Sequence, residues 1–347
     1  MNTIITEDLN TIINQFENWD RLKNKTVLIS GANGFLPAYL VETLIEVNNR
    51  FEANITIIGL VRNHEKAKAR FNKHLENKYL QLIIQDVCDP IAIDKKIDFI
   101  IHAASQASPK YYGVDPVGTL SANVIGTLNL AKLGVKNKVE SFLYFSSSEV
   151  YGELPESLMP VKENVFGFID PARVRSCYGE SKRMGETICA SYLHQYGLKA
   201  KIVRPFHTYG PGMMLDDGRV YADFIANVIS KKDIILNSDG SARRAFCYLT
   251  DATVGFLKIL LDGKDGEAYN VGNPKEEYSI LELAQLIIDL RPELKLNVKV
   301  NLPDNNGNYL KSTVSKNSPN IDKMNELSWK PNVSVSDGFN RTIKSFN

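Results

Sequence analysis

Thr26-Val27-Leu28-Ile29-Ser30-Gly31-Ala32-Asn33-Gly34 is an apolar run that ends in a glycine-bearing turn, and Leu40, Val41, Leu44 and Ile45 follow at helical spacing. The sequence reads as strand, tight turn, helix. Gly31 and Gly34 permit a close backbone approach, so the N–H groups of the turn around Asn33 and of the helix opening at Phe35 and Leu36 can meet a pyrophosphate. Pro37 stands where a third glycine is usual. A proline is accepted in a first helical turn, because its missing N–H would have no intrahelical partner there.

Outward from this unit, further apolar runs lie at 55–61, 82–84, 99–101, 142–145 and 200–203, most of them separated by helix-length segments. Such alternation predicts an α/β fold, a doubly wound parallel (Rossmann) sheet covered on both faces. After Pro205 the elements shorten and the loops become rich in Gly, Asp and Asn. A capping box at Ser279-Ile280-Leu281-Glu282 opens a helix running to about Leu290, and the polar stretch 303–319 reads as irregular. The expected organisation is a dinucleotide-binding lobe over most of 1–205 and a smaller C-terminal α/β substrate lobe over most of 206–347, with the chain crossing between them. Ahead of the first strand, Leu9, Ile12, Ile13 and Phe16 share one helical face, with Thr6 as the expected N-cap.

A chain of 347 residues, 44% hydrophobic, can bury a large core. Its 41 Lys and Arg against 40 Asp and Glu produce no global field for nucleic acid or an anionic membrane. The cysteines Cys88, Cys177, Cys189 and Cys247 are widely spaced, which suggests reduced thiols and neither a zinc site nor a disulfide framework; no metal is expected. No membrane span and no secretory signal are legible, so a cytoplasmic protein is the expectation.

The chemistry is carried by Tyr178-Gly179-Glu180-Ser181-Lys182. Positions i and i+4 share a helix face, so Tyr178 and Lys182 can enter one cleft, where a nearby ammonium would move the phenol toward neutral pH and fit it for proton exchange with a hydroxyl. Ser147 lies in a serine run ending in Glu149, a carboxylate that could serve the same cleft or cap backbone N–H groups. For the cofactor, the second apolar run ends Ile58-Gly59-Leu60-Val61-Arg62-Asn63, without the acidic residue that would hold an NAD ribose. Arg62 either meets the 2′-phosphate of NADP or is a solvated strand-end arginine, so NAD and NADP both stand. Asp86, followed by Val87, is placed either to contact the adenine or to cap its loop.

These residues together resemble the extended short-chain dehydrogenase/reductase family that modifies nucleotide sugars, and within it most nearly the UDP-glucuronate decarboxylases. The resemblance is carried by His102-Ala103-Ala104-Ser105-Gln106-Ala107-Ser108-Pro109, Ser147-Ser148-Glu149-Val150-Tyr151-Gly152, Arg175-Ser176-Cys177-Tyr178 with Lys182-Arg183, Asp217-Gly218-Arg219-Val220 and Trp329-Lys330-Pro331. It implies a nicotinamide cofactor along Ala103, Ala104, Ser105 and Asn123, with Ser147 and Tyr178 at the sugar's 4-hydroxyl and Lys182 on the nicotinamide ribose. It further implies that Ser148, Glu149 and Arg244 lie around C5, and that Ser108, Arg175, His207, Arg219 and Arg244 bind a nucleotide-sugar substrate; a homodimer is implied as well.

Related 4,6-dehydratases place an aspartic acid where this chain has Ser148, a poor acid for expelling a hydroxyl, and a 4-epimerase needs no Glu149. The expected reaction is therefore C4 oxidation, loss of carbon dioxide and re-reduction. A 4,6-dehydratase or 4-epimerase, an NADP-dependent ketoreductase and a non-catalytic cofactor-binding protein stand as alternatives. His207 replaces the family's usual asparagine, and the turn around Arg243 and Arg244 departs from the decarboxylase pattern.

Overall fold

The computed structural model describes residues 2–301 and 314–346. The chain runs α1 (Thr3–Gln15), β1 (Thr26–Ser30), α2 (Phe35–Phe51), β2 (Thr56–Val61), α3 (His64–Arg70), β3 (Leu80–Ile84), β4 (Phe99–His102), α4 (Pro109–Val114) and α5 (Pro116–Asn137). It continues through β5 (Ser141–Phe145), α6 (Cys177–Tyr196), β6 (Ala200–Pro205), β7 (His207–Tyr209), α7 (Val220–Ile229), β8 (Ile234–Leu236), β9 (Arg243–Tyr248) and α8 (Leu249–Asp262). The last elements are β10 (Ala268–Val271), β11 (Glu277–Ser279), α9 (Ile280–Asp289), β12 (Val298–Val300), β13 (Lys316–Asn317), α10 (Asp322–Glu326) and α11 (Val335–Lys344).

Seven parallel strands form the main sheet in the order β10-β6-β5-β4-β1-β2-β3. Strand side chains alternate between its faces: Val27 and Ile29 pack with α1, α2 and α8, whereas Leu28 packs with α5 and α6. Both faces are thus covered, which explains why β1 is buried throughout. Strand order reverses direction between β1 and β4, and a doubly wound sheet opens its ligand crevice at the carboxyl ends of the strands at such a point.

Six of the seven strands coincide with the apolar runs. The seventh, β10, has a short Ala268-Tyr269-Asn270-Val271 sequence with no period of its own, and it is recruited by pairing with β6. Residues 249–271 therefore return to the large sheet as α8 and β10. The smaller lobe packs α7, α9 and α11 around Tyr209, Phe246, Tyr248 and Phe339.

Two local expectations are corrected. Helix α1 is capped by Asn2, whose side chain accepts the Ile4 N–H at 3.0 Å, while Thr6 lies inside the helix with its hydroxyl on the Asn2 carbonyl. The docked helix is held by a buried carboxylate, because Asp8 accepts from Tyr39, Tyr248 and Arg341 at 3.2, 2.9 and 2.7 Å. Within the stretch read as irregular, 303–313 lies outside the described residues, but Lys316–Asn317 is a strand paired with Arg243 and Arg244 of β9. The Ser279–Glu282 capping box is present, with both reciprocal hydrogen bonds. All four cysteines are free thiols. Among the described residues, no helix is long and apolar enough to cross a membrane, and no cluster could hold a metal ion.

Candidate active site

The phosphate turn is built by close approach. Gly31 has φ +65°, and a Cβ there would lie 2.8 Å from the Ala104 Cα, so any side chain would collide with the loop after β4. Gly34 donates to the Gly31 carbonyl at 2.8 Å and caps α2, which begins at Phe35 and Leu36; Asn33 lies in the turn between them. Behind the turn, Ser30 Oγ accepts from the Ala103 and Ala104 N–H groups, each at 3.2 Å, and meets His102 Nδ1 at 2.8 Å. His102 Nε2 meets Thr127 Oγ1 at 3.0 Å, and that hydroxyl donates to the Asn123 carbonyl. These roles leave one consistent tautomer: Nε2 carries the proton and Nδ1 accepts from Ser30. Burial, aided by the Lys182 charge, pushes the imidazole down to about 3, so it is neutral.

Ser105 Oγ and Asn123 Oδ1 are buried without a partner, and Asn123 Nδ2 holds Ser181 Oγ at 2.9 Å. Two orphaned acceptors beside a glycine cradle fit a polar nucleotide cofactor. At the outer end, Arg62 pairs with Asp86 at 3.7 Å, and the other Asp86 oxygen accepts the Cys88 N–H at 2.9 Å. Asp86 thus caps its own loop, and the Arg62 side chain, 65% exposed, already has a carboxylate beside it. Val87 is buried against Gly126, where a Cβ would come within 2.7 Å of it.

The reactive side chains converge at the end of β5. Ser147 Oγ accepts the Glu149 N–H at 3.2 Å and is hydrogen-bonded to Tyr178. Lys182 Nζ donates to the Phe145 carbonyl at 2.6 Å and lies 5.1 and 5.7 Å from the ring centroids of Tyr144 and Tyr178. The expected drop in the Tyr178 pKa is not what this packing produces. Burial pushes the phenol up to about 12, Glu149 adds to the rise, and the Ser147 hydrogen bond, Arg219 and Arg175 only oppose it. Burial also brings Lys182 down to about 7, opposed by Glu186. Desolvation outweighs the local charges because both groups lie in the interior.

Arg175 grips Glu149 through two bonds of 2.8 and 3.1 Å. Its guanidinium lies 4.7 Å from the Tyr112 ring centroid, and Tyr112 stacks on Tyr178 at 4.9 Å and 19°. A continuous stack therefore joins the Glu149 ion pair to the reactive phenol. Ser148 Oγ accepts from Asn317 Nδ2 at 3.2 Å. Ser108 donates to the Asp217 carbonyl, while Arg219 spans the Asp217 carboxylate at 2.6 Å and the Ala107 carbonyl at 3.3 Å. Arg244 donates to the carbonyls of Val314 and Ser315 at 2.7 and 3.1 Å.

His207 lies opposite Phe246 in the β7–β9 register, and its buried Nδ1 has no partner among the described residues. Burial, then the charges of Arg244 and Arg219, push it down to about 3. The structure thus gathers Ser147, Ser148, Glu149, Arg175, Tyr178, Lys182 and Arg219 about one cleft, with His207 and Arg244 beside Arg219. Ser108 faces the Asp217 loop, and Arg62 with Asp86 occupies the distant cofactor end. Sequence reasoning missed Tyr112 and Asn317. Nothing in Lys110-Tyr111-Tyr112 marks one tyrosine for the site, and Asn317 arrives by a strand pairing with no sequence signature.

The profile described as the NAD dependent epimerase/dehydratase family matches residues 27–272. The chain is 36% identical over 318 residues to UDP-glucuronic acid decarboxylase 3 of Arabidopsis thaliana, covering 91% of this chain and 87% of that protein. It is 34% identical to UDP-glucuronic acid decarboxylase 1 of Danio rerio, covering 93% of this chain and 72% of the relative. The solved UDP-glucuronic acid 4-epimerase of Bacillus cereus, in complex with UDP-glucuronic acid and NAD, superposes with a TM-score of 0.78 at 23% identity, covering 92% and 98% of the two chains. With that fold, glycine cradle and matched span, the chain belongs to the NAD dependent epimerase/dehydratase family.

Proposed function

We propose that this protein is a nucleotide-sugar decarboxylase acting on UDP-glucuronate or a near relative, with NAD as a recycled cofactor. The observation that carries this reading is the convergence of Ser147, Tyr178 and Lys182 with the Glu149–Arg175 pair at one cleft. The Gly31–Gly34 turn and the start of α2 would hold the pyrophosphate of such a cofactor, and Ala104, Ser105 and Asn123 would lie along it. A bound nicotinamide supplies the hydride acceptor and returns the hydride at the end. Arg62 is already matched by Asp86, which supports NAD over NADP, since a 2′-phosphate would have to compete with that carboxylate.

Tyr178, facing Ser147, is placed to take the proton of the sugar's 4-hydroxyl as a phenolate; burial holds it as a phenol at neutral pH, so its own proton must leave first, and Arg219, Arg175 and the nearby Lys182 favour the anion that results. Oxidation at C4 makes the C5 carboxylate that of a β-keto acid. Carbon dioxide leaves with its bonding electrons remaining as an enolate, and C5 then takes a proton that comes from solvent. Arg175 offsets the charge of Glu149, so a second carboxylate can be admitted beside it without facing an unpaired anion. His207, Arg219 and Arg244 suit the diphosphate, as two cations and a neutral imidazole with an open nitrogen. The same commitment of Glu149 to Arg175 supports a second reading, 4-epimerisation, which needs no free base at C5.

Val117, Leu120 and Ile125 are exposed on one face of α5 at i, i+3 and i+8, which supports a homodimer through that helix. Light scattering on the purified protein tests the dimer. Incubation with UDP-glucuronate, followed by carbon dioxide release, product mass and chromatographic separation of the C4 epimers, tests the reaction. Release of carbon dioxide with a UDP-pentose product is expected, an isobaric UDP-uronate inverted at C4 identifies the epimerase, and unchanged UDP-glucuronate overturns both.

A further inference from the structure

Helix α6 carries a third polar residue in line with the reactive pair. Tyr178, Lys182 and Glu186 are spaced i, i+4 and i+8, so one helix face presents all three. They engage three consecutive residues at the end of β5: Lys182 the carbonyl of Phe145, Glu186 the hydroxyl of Ser146, and Tyr178 the hydroxyl of Ser147. Gly185 lets Tyr144 pack against this face, since a Cβ there would lie 2.1 Å from the Tyr144 hydroxyl.

Glu186 is itself clamped. Arg204 of β6 grips it with bonds of 2.9 Å from Nε and 2.7 Å from Nη2, and the two side chains are only 13% and 2% exposed. The remaining Arg204 nitrogen binds the Tyr151 hydroxyl at 3.0 Å and the Glu163 carbonyl at 2.8 Å, and the guanidinium faces the Tyr151 and Phe166 rings. A carboxylate fixed on both sides cannot turn away from the strand end it holds.

We propose that Glu186 is a positioning residue of the active site: clamped by Arg204, it orients the Ser146–Ser147 strand end and supplies the negative charge that keeps the buried Lys182 protonated. The groups facing Lys182 are His102 of β4, Tyr144 and the Phe145 carbonyl of β5, and Tyr178 and Glu186 of its own helix. His102 is neutral, and both phenols are raised by burial, so Glu186 alone among them brings a full negative charge. Around Glu186 stand Arg204, Ser146, Tyr144 and Cys189, of which Arg204 alone is cationic. Removing the carboxylate therefore lowers the pH at which Lys182 loses its proton.

The inference deepens the catalytic reading, but its primary test is independent of substrate. Protein as purified, labelled with 13C at lysine Cε, is titrated by NMR, and Lys182→Met identifies the Lys182 resonance. Glu186→Gln is expected to move the Lys182 midpoint down by about one pH unit, and Glu186→Asp to restore most of it. On UDP-glucuronate, Glu186→Gln is expected to lower kcat about tenfold with KM within about twofold, since the residue acts through others rather than on substrate. An unmoved Lys182 midpoint in folded Glu186→Gln overturns the proposal and leaves a structural ion pair. Should that variant fail to fold, Arg204→Lys, which loosens the clamp and lets the carboxylate turn from the strand end, is expected to move the midpoint down, and an unmoved or raised midpoint there overturns it equally. Absence of carbon dioxide release by the parent protein would instead defeat the decarboxylase reading and leave the titration standing.

Discussion

The two ends of the cleft are built differently. At the proposed hydride end, Ser147, Tyr178 and Lys182 come from adjoining elements, the end of β5 and one face of α6, and are buried against the sheet. At the proposed recognition end, Glu149, Arg175, His207, Arg219, Arg244 and Asn317 come from separate segments and are held largely by one another or by distant carbonyls. Arg244 reaches 71 residues along the chain to Ser315, and Asn317 reaches back 169 residues to Ser148. The first arrangement is rigid wherever the sheet is intact. The second can change one partner at a time.

The contrast is broken most severely at Tyr178. Tyr178→Phe is expected to lower kcat by about 10³-fold with little change in KM, because the proton acceptor is lost while the stack on Tyr112 remains; product mass spectrometry measures it. Glu149→Gln breaks the ion pair while leaving the Ser147, Tyr178 and Lys182 side chains in place. It is expected to reduce carbon dioxide release by about 10²-fold, while substrate still reduces the bound nicotinamide, read by its near-ultraviolet absorbance. Loss of both signals would show that the two ends are not separable.

Arg244→Ala removes one cation from the recognition end and is expected to raise KM about tenfold with kcat nearly unchanged, measured by initial rates. The remaining effect is on stability and builds only toward acid pH. His102 is neutral in the fold, at about 3 against an ordinary 6.5, so the unfolded chain binds the extra proton in that window. Stability from this group is complete above about pH 6.5 and falls as pH drops toward 3, by at most about 1.4 kcal/mol per pH unit. His102→Asn is expected to flatten that acid slope in urea titrations, whatever its effect on stability at neutral pH.

Local pattern made part of this legible. The Gly31 turn was readable because positive φ and a 2.8 Å approach leave glycine as the residue that fits. Tyr178 and Lys182 were readable because helical spacing alone places them on one face. The sign of the Tyr178 shift was not, since it depends on how completely the phenol is desolvated and on Glu149 nearby. Neither Tyr112 nor Asn317 could be picked out, and the partner of Arg62 could not be named, because each depends on which loops the folded sheet brings together.

By itself, then, the sequence determined the strand–turn–helix unit, six of the seven strands of a covered parallel sheet, and the spacing of a phenol and an ammonium on one helix. Those features rest on periodicity and on backbone conformations that few residues tolerate. Only the tertiary structure decided that β10 completes the sheet, that Arg175 holds Glu149, that Asp86 meets Arg62 and that Glu186 lies clamped beneath Lys182. Such contacts join residues far apart in the chain, and their energy comes from burial and charge pairing that exist only after the sheet has closed around them.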